Sequence, residues 1–189
     1  MISDLSLDEQ LSYHIGTAAR WSTALTVALQ RAYKAMSGTS PDESVTDRFA
    51  EILERCEKAL PASQVGALYG SEVADALSEA RAANRMRDRL VHDVWEASDD
   101  DGVVRAVKFD IGDDEPKYPT LTAREARDVS DGLKRARYRA LAIYWLEDML
   151  RRDVRPPLLF EMQVQLLAGS FSIGPDGLAI LGGTEPAER

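Results

Sequence analysis

Residues 82–95 read AANRMRDRLVHDVW. At about 100° per residue, Ala80, Ala83, Met86, Leu90, Val91 and Val94 fall on one face of a helix. Arg87 falls within that apolar face. Arginine is almost never fully buried unless something pairs with it. His92, one of only two histidines in the chain, follows five residues later. An arginine held in a dry place near a histidine suits the handling of a phosphate. The plain alternative is that Arg87 snorkels to water, or pairs with a carboxylate from another helix.

Working outward, residues 7–36 read as a long first helix. Leu11, His14, Ile15, Ala18, Trp21, Leu25, Ala28, Leu29 and Ala32 recur at helical spacing, and Ser37-Gly38 stops the run. Pro41 with Asp42 and Glu43 predicts a second helix that reaches about Leu60, before Pro61. PASQVGALYG (61–70) is expected to be a connector with short helical turns. Ser71-Glu72 starts the third helix, which carries the arginine–histidine stretch and ends near Ala97, with Trp95 anchoring its end. Alternation in VVRAVKFDI and a return through GDDEPKYPTLT predict a β-hairpin over 102–120. Thr122 and Glu125 have capping-box spacing and open a fourth helix to about Arg152. Its apolar face takes in Val129, Leu133, Ala136, Ala140, Ile143, Tyr144 and Leu150, with Trp21 and Trp145 expected in the core. A short helix at 158–167 and a minor hairpin in FSIGPDGLAIL complete the chain. The fold class is all-α, a helical bundle with a small β-hairpin insertion. The domain expected is 1–152, with 153–189 as an appendage.

Composition narrows the function. A hydrophobic content of 44 % suffices for an ordinary core. One cysteine, Cys56, permits no internal disulfide and suits a reducing, cytoplasmic setting. MISDLSLDEQ shows no basic start followed by an apolar core, so no secretory signal and no membrane association are expected. A net charge of −9 argues against a protein that coats nucleic acid, while leaving room for a small basic site. Arg81, Arg85, Arg87 and Arg89 form one such cluster, and Lys134, Arg135, Arg137 and Arg139 another.

Asn84, Asp88 and His92 are spaced i, i+4, i+8 along one edge of the third helix. Asp88 lies one turn before His92 and is placed to orient its imidazole. Arg85 lies nearly above His92, whereas Arg87 is about 140° away around the axis. Arg87 reaches His92 only through side-chain length, a helix end or a second subunit. An ordinary solvated ladder of i,i+4 pairs explains Arg85, Asp88 and Arg89 well and Arg87 poorly. His14, between Leu11 and Ala18, reads as a core or interface histidine. Two distant histidines and one cysteine make no zinc site. There is no Walker loop, GxGxxG or Gly-x-Ser-x-Gly elbow, and no cofactor is expected.

Arg87-Asp88-Arg89-Leu90-Val91-His92, followed by Asp93-Val94-Trp95, resembles the signature of HEPN domains. Those are helical bundles with an arginine, then a polar residue, and a histidine, with four to six residues separating the arginine from the histidine. The order of a long first helix, a motif helix, a short β excursion and a final long helix is similar too, over roughly residues 5–152. The resemblance implies metal-independent RNA cleavage at a composite site where two motif helices meet across a homodimer. It makes His92 the acid or base at the ribose 2′-OH or the leaving oxygen, and Arg87 the group on the scissile phosphate. Asp88 orients the pair, and Arg85, Arg89 and Asn84 hold substrate. Arg85 also satisfies the spacing to His92, so either arginine is the working one. The products are a 2′,3′-cyclic phosphate and a 5′-hydroxyl. The setting implied is a toxin–antitoxin or phage-defence system, with RNA and an antitoxin as partners. Val94 stands where one subgroup of toxins carries a tyrosine, so modification of that tyrosine is not implied. Other members bind nucleotides or proteins and cut nothing, and a non-catalytic HEPN-like binding or dimerisation module is the alternative.

Overall fold

The computed structural model describes residues 5–40, 43–45, 48–92, 95–97, 103–106, 120–174 and 177–181. Among the described residues five helices dominate: α1 (Leu7–Ser37), α2 (Phe49–Ala59), α3 (Gln64–His92), α4 (Ala123–Arg151) and α5 (Pro157–Leu167). Strands β1 (Trp95–Ala97), β2 (Val103–Ala106) and β3 (Thr120–Thr122) form an antiparallel sheet in that order. Strands β4 (Phe171–Gly174) and β5 (Gly177–Ile180) pair as a second, two-stranded sheet. An all-α bundle with a small β insertion is therefore the architecture. The insertion has one strand more than the expected hairpin, because Trp95, Glu96 and Ala97 pair with Ala106, Arg105 and Val104. The third helix accordingly stops at His92, and Trp95 belongs to β1 instead of anchoring a helix end.

Caps explain where the long helices begin and end. Ser6 and Glu9 exchange hydrogen bonds at the start of α1, Ser6 N donating to Glu9 Oε2 at 2.9 Å and Glu9 N to Ser6 Oγ at 3.3 Å. Thr122 and Glu125 repeat the device before α4, at 2.7 Å and 3.1 Å. Both carboxyls are held below the usual range, first by the backbone N–H and then by the hydroxyl of the capping residue. Gly38 ends α1 at φ +70°, a conformation that suits glycine.

Two helix starts differ from expectation. Helix α2 begins at Phe49, and the expected start at Pro41-Asp42 lies outside the described residues. Its buried residues are Ile52, Leu53 and Cys56, whereas the described residues 43–45 are not helical and offer only Val45 as an apolar residue to bury. Helix α3 begins at Gln64, within the expected connector, and kinks at Tyr69 (φ −135°, ψ 35°). Val65 N donates to the fully buried carboxylate of Glu147 at 2.7 Å, which satisfies one orphan donor of that helix start.

The chain divides into two compact units. The first comprises Met1–Thr23 and Ala82–Leu133. Its core gathers Leu11, Ala18, Ala83, Leu90, Leu121, Ala126, Val129 and Leu133. The second comprises Ala24–Arg81 and Lys134–Arg189, and buries Leu29, Ile52, Leu77, Ile143, Leu167 and Phe171 among others. Trp145, expected in the core, is 44 % exposed, Trp21 is half-buried, and Tyr144 is only partly covered. Met86 is likewise 42 % exposed, so the covered stripe of α3 in the first unit runs from buried Ala83 through half-buried Arg87 to buried Leu90. That spacing of three and four residues is the narrow seam of a packed helix, and Met86 lies just off it.

Candidate functional site: an arginine in the α3 stripe

Arg87 occupies the middle of that seam. Its side chain is 22 % exposed, low for a cation. Nη1 lies 3.0 Å from Asp88 Oδ1, and Nη2 donates to Asn84 Oδ1 at 3.1 Å. Asn84 Nδ2 in turn donates to Asp88 Oδ2 at 3.1 Å, one helical turn on. The three side chains thus close a triangle on a single helix. Side chains at i and i+1 do not normally face each other. Arg87 meets Asp88 only because its long stem folds back along α3.

The triangle leaves Nε without a partner. Arg87 Nε is buried and finds no hydrogen-bond acceptor among the described residues. A guanidinium carries five donors in a rigid fork, and an unmatched buried donor costs about 1–3 kcal/mol. An anion with several oxygens, such as a phosphate, is the natural complement to such a fork.

The other expected site residues separate by exposure. Arg85 and Arg89 are exposed, and Asn84 and Asp88 are partly buried in the triangle. The Arg89 charge reaches Glu125, to whose lowered pKa it adds a minor contribution after the Thr122 bonds. Asn84 and Asp88 hold Arg87. His92 is the last residue of α3, and its side chain lies outside the described residues, as do Asp93 and Val94. Its partnership with Arg87 rests on spacing along the helix.

His14 is a core residue, as expected from its place between Leu11 and Ala18. It is 5 % exposed, its ring meets Tyr13 edge-on at 5.4 Å, and its carbonyl accepts from Ser130 Oγ at 3.5 Å. The second basic cluster is not an open patch. Arg139 is 4 % exposed and its donors are taken: Nε by Leu167 O, Nη1 by Glu79, and Nη2 by Asp75 and Glu72 O. Arg135 binds Glu79, Gly169 O and Phe171 O and lies over the Phe171 ring at 5.0 Å. These arginines fasten α3, α4, α5 and β4 together within the second unit. Sequence reading missed Glu79 and Asp75 as their partners, although an acid at 75 and 79 on the apolar edge of α3 was the available signal.

Cys56 offers no nucleophile. Burial, helped by the Glu57 charge, pushes its thiol up to about 12, and Sγ donates to Leu29 O at 3.5 Å. Among the described residues, no three His, Cys, Asp or Glu side chains are placed to hold a metal ion. No helix among them is long and apolar enough to cross a membrane. Comparison with family models, curated proteins and solved structures finds no match to this chain.

Proposed function

We propose that this protein is a HEPN-like, metal-independent endoribonuclease whose working pair is Arg87 and His92. The observation that carries the reading is Arg87 itself. It is a cation in an apolar helix seam, with Nε buried and unmatched among the described residues, and four residues separate it from a histidine that ends the helix. In the reaction, the ribose 2′-OH attacks the adjacent phosphorus and gives up its proton. The P–O5′ bond breaks and the 5′ oxygen gains a proton. His92 accepts the first proton or supplies the second, and Arg87 holds a non-bridging oxygen as its charge grows. Asp88 and Asn84 are positioning residues for the Arg87 fork. Of the two candidate arginines, Arg87 is favoured over Arg85, because a half-buried guanidinium is preorganised and an exposed one is not. The composite site takes a second copy of the chain, and a toxin or phage-defence role with an antitoxin partner belongs to the same reading.

A second reading follows from the ion pair to Asp88. A carboxylate at 3.0 Å already neutralises much of the Arg87 charge, and with a net charge of −9 this suits a non-catalytic binding or dimerisation module. Incubation of a mixed-sequence RNA in EDTA with wild type and with Arg87→Ala/His92→Ala separates the two. Cleavage by wild type alone, ending in 2′,3′-cyclic phosphates, supports the enzyme. Equal cleavage by both, or none by either with a broad set of RNAs, removes it.

A further inference from the structure

Within the second unit, a groove of about 680 Å³ runs between the C-terminal halves of α1 and α4. We propose that it binds single-stranded RNA, with a base stacked on Trp145 and phosphates held by Arg31 and Arg152. The choice of RNA over another single strand rests on the ribonuclease reading. The groove's own chemistry does not.

Three observations carry the proposal. The first is the aromatic wall. Trp145 stands 44 % exposed in the groove, its ring braced against Tyr144 at 4.8 Å, with Val27, 42 % exposed, among the lining residues on α1. An indole left half bare yet held by a second ring is a stacking platform. The second is charge. Arg31, Lys34, Arg151 and Arg152 line the groove against Asp148, with Glu147 buried behind it. Four cations against two acids leave an excess of two positive charges in a chain of net −9. The third is which cations are open. Arg151 is committed to Glu147 Oε1 and Met36 O, at 2.7 Å and 2.8 Å. Arg152 is steadied by Asp148 at 2.9 Å but keeps 70 % of its side chain in solvent. Arg31 is exposed, and no described residue pairs with it.

An acidic peptide would be served by the cations alone and would leave the ring unexplained. A partner helix would need a row of aliphatic residues, whereas Val27 and Ala35 are the only aliphatic side chains in the lining. Ring beside cation is the pairing that recognises base beside phosphate.

The test uses the full chain and a fluorescein-labelled oligouridylate whose 2′-hydroxyls are methylated, so that attack by the 2′ oxygen is blocked. Binding is read by fluorescence anisotropy over a range of salt. Base–aromatic stacking predicts that Trp145→Ala weakens binding on the order of 10-fold, while Trp145→Phe retains most of it. Arg31→Glu should weaken binding and flatten the slope against log salt by about one ion. Melting curves confirm that the variants fold. Wild-type affinity in Trp145→Ala, no binding by wild type, displacement by polyglutamate as readily as by oligouridylate, or equal affinity for uridine monophosphate each overturns the proposal. Loss of RNA cleavage with Trp145-dependent binding intact would remove the ribonuclease reading alone. Cleavage with no role for Trp145 would remove the groove alone.

Discussion

At the scale of the residue, a buried and a half-buried arginine illustrate opposite uses of one side chain. Arg139 has its donors matched by Glu79, Asp75 and two carbonyls, so it acts as a fastener. Arg87 has a triangle of two partners on its own helix and a spare Nε, which the proposed function assigns to a phosphate. Replacing a poorly compensated charge by an apolar side chain is often neutral, whereas removing one member of a matched set leaves the others stranded. Arg87→Met should therefore move the melting temperature by less than about 4 °C, while cutting RNA cleavage on the order of 100-fold. Arg139→Met should cost about 3–5 kcal/mol and melt on the order of 10 °C lower. Differential scanning fluorimetry of the two variants decides it, and an equal loss of stability would make Arg87 a fastener too. Cys56 gives a simpler test. With its thiol pushed up to about 12 and its side chain buried, iodoacetamide at neutral pH should leave it unmodified in the native protein and alkylate it fully in denaturant.

At the scale of the element, helix boundaries were legible wherever a local chemical rule sets them. Thr122-x-x-Glu125 and the Ser37-Gly38 stop are such rules, and α4 and α1 begin or end there. The start of α3 obeys a distant partner instead. Glu147, more than eighty residues away, caps Val65, and no local pattern announces this. Gly66 marks the same place, since a β-carbon there would collide with the Leu60 carbonyl oxygen. Gly66→Ala should thus destabilise the protein by more than the usual gain of about 0.4–1 kcal/mol expected when a helical glycine becomes alanine, with the sign reversed. Chemical denaturation measures it. The capping box adds a pH signature. The folded Glu125 pKa lies below its unfolded value, so its contribution is complete above the ordinary carboxylate range and is lost as the pH falls through the folded value. Thr122→Ala should cost about 1 kcal/mol near neutrality. That gap to wild type should narrow as melts are repeated from about pH 5 towards pH 3. A gap that stays constant would assign the loss to the threonine alone.

At the scale of the whole molecule, the bundle and its β insertion could be read from periodicity, because each long helix repeats its own apolar face over many turns. The groove lining could not. Trp145 follows Tyr144 on a helix whose next positions are buried, so periodicity counts it as core, yet it stands 44 % exposed in the groove beside α1. The catalytic reading has a different limit. Arg87 and His92 lie about 140° apart around one helix, so a shared phosphate is most easily reached from two copies of α3. If the site is composite, a chain lacking Arg87 and a chain lacking His92 are each inactive but not in the same way. A mixed dimer of the two keeps one complete site, formed by His92 of the first and Arg87 of the second. Free exchange of subunits makes half of all dimers mixed, each with one site of two, so activity should return to roughly a quarter of wild type in a twofold assembly. The experiment combines Arg87→Ala and His92→Ala at equal concentration, allows exchange, and follows cleavage of one RNA in EDTA. Activity absent from both parents and present in the mixture would require sites shared between chains. A mixture as silent as its parents, with exchange verified by mass labels, would place any site within one chain.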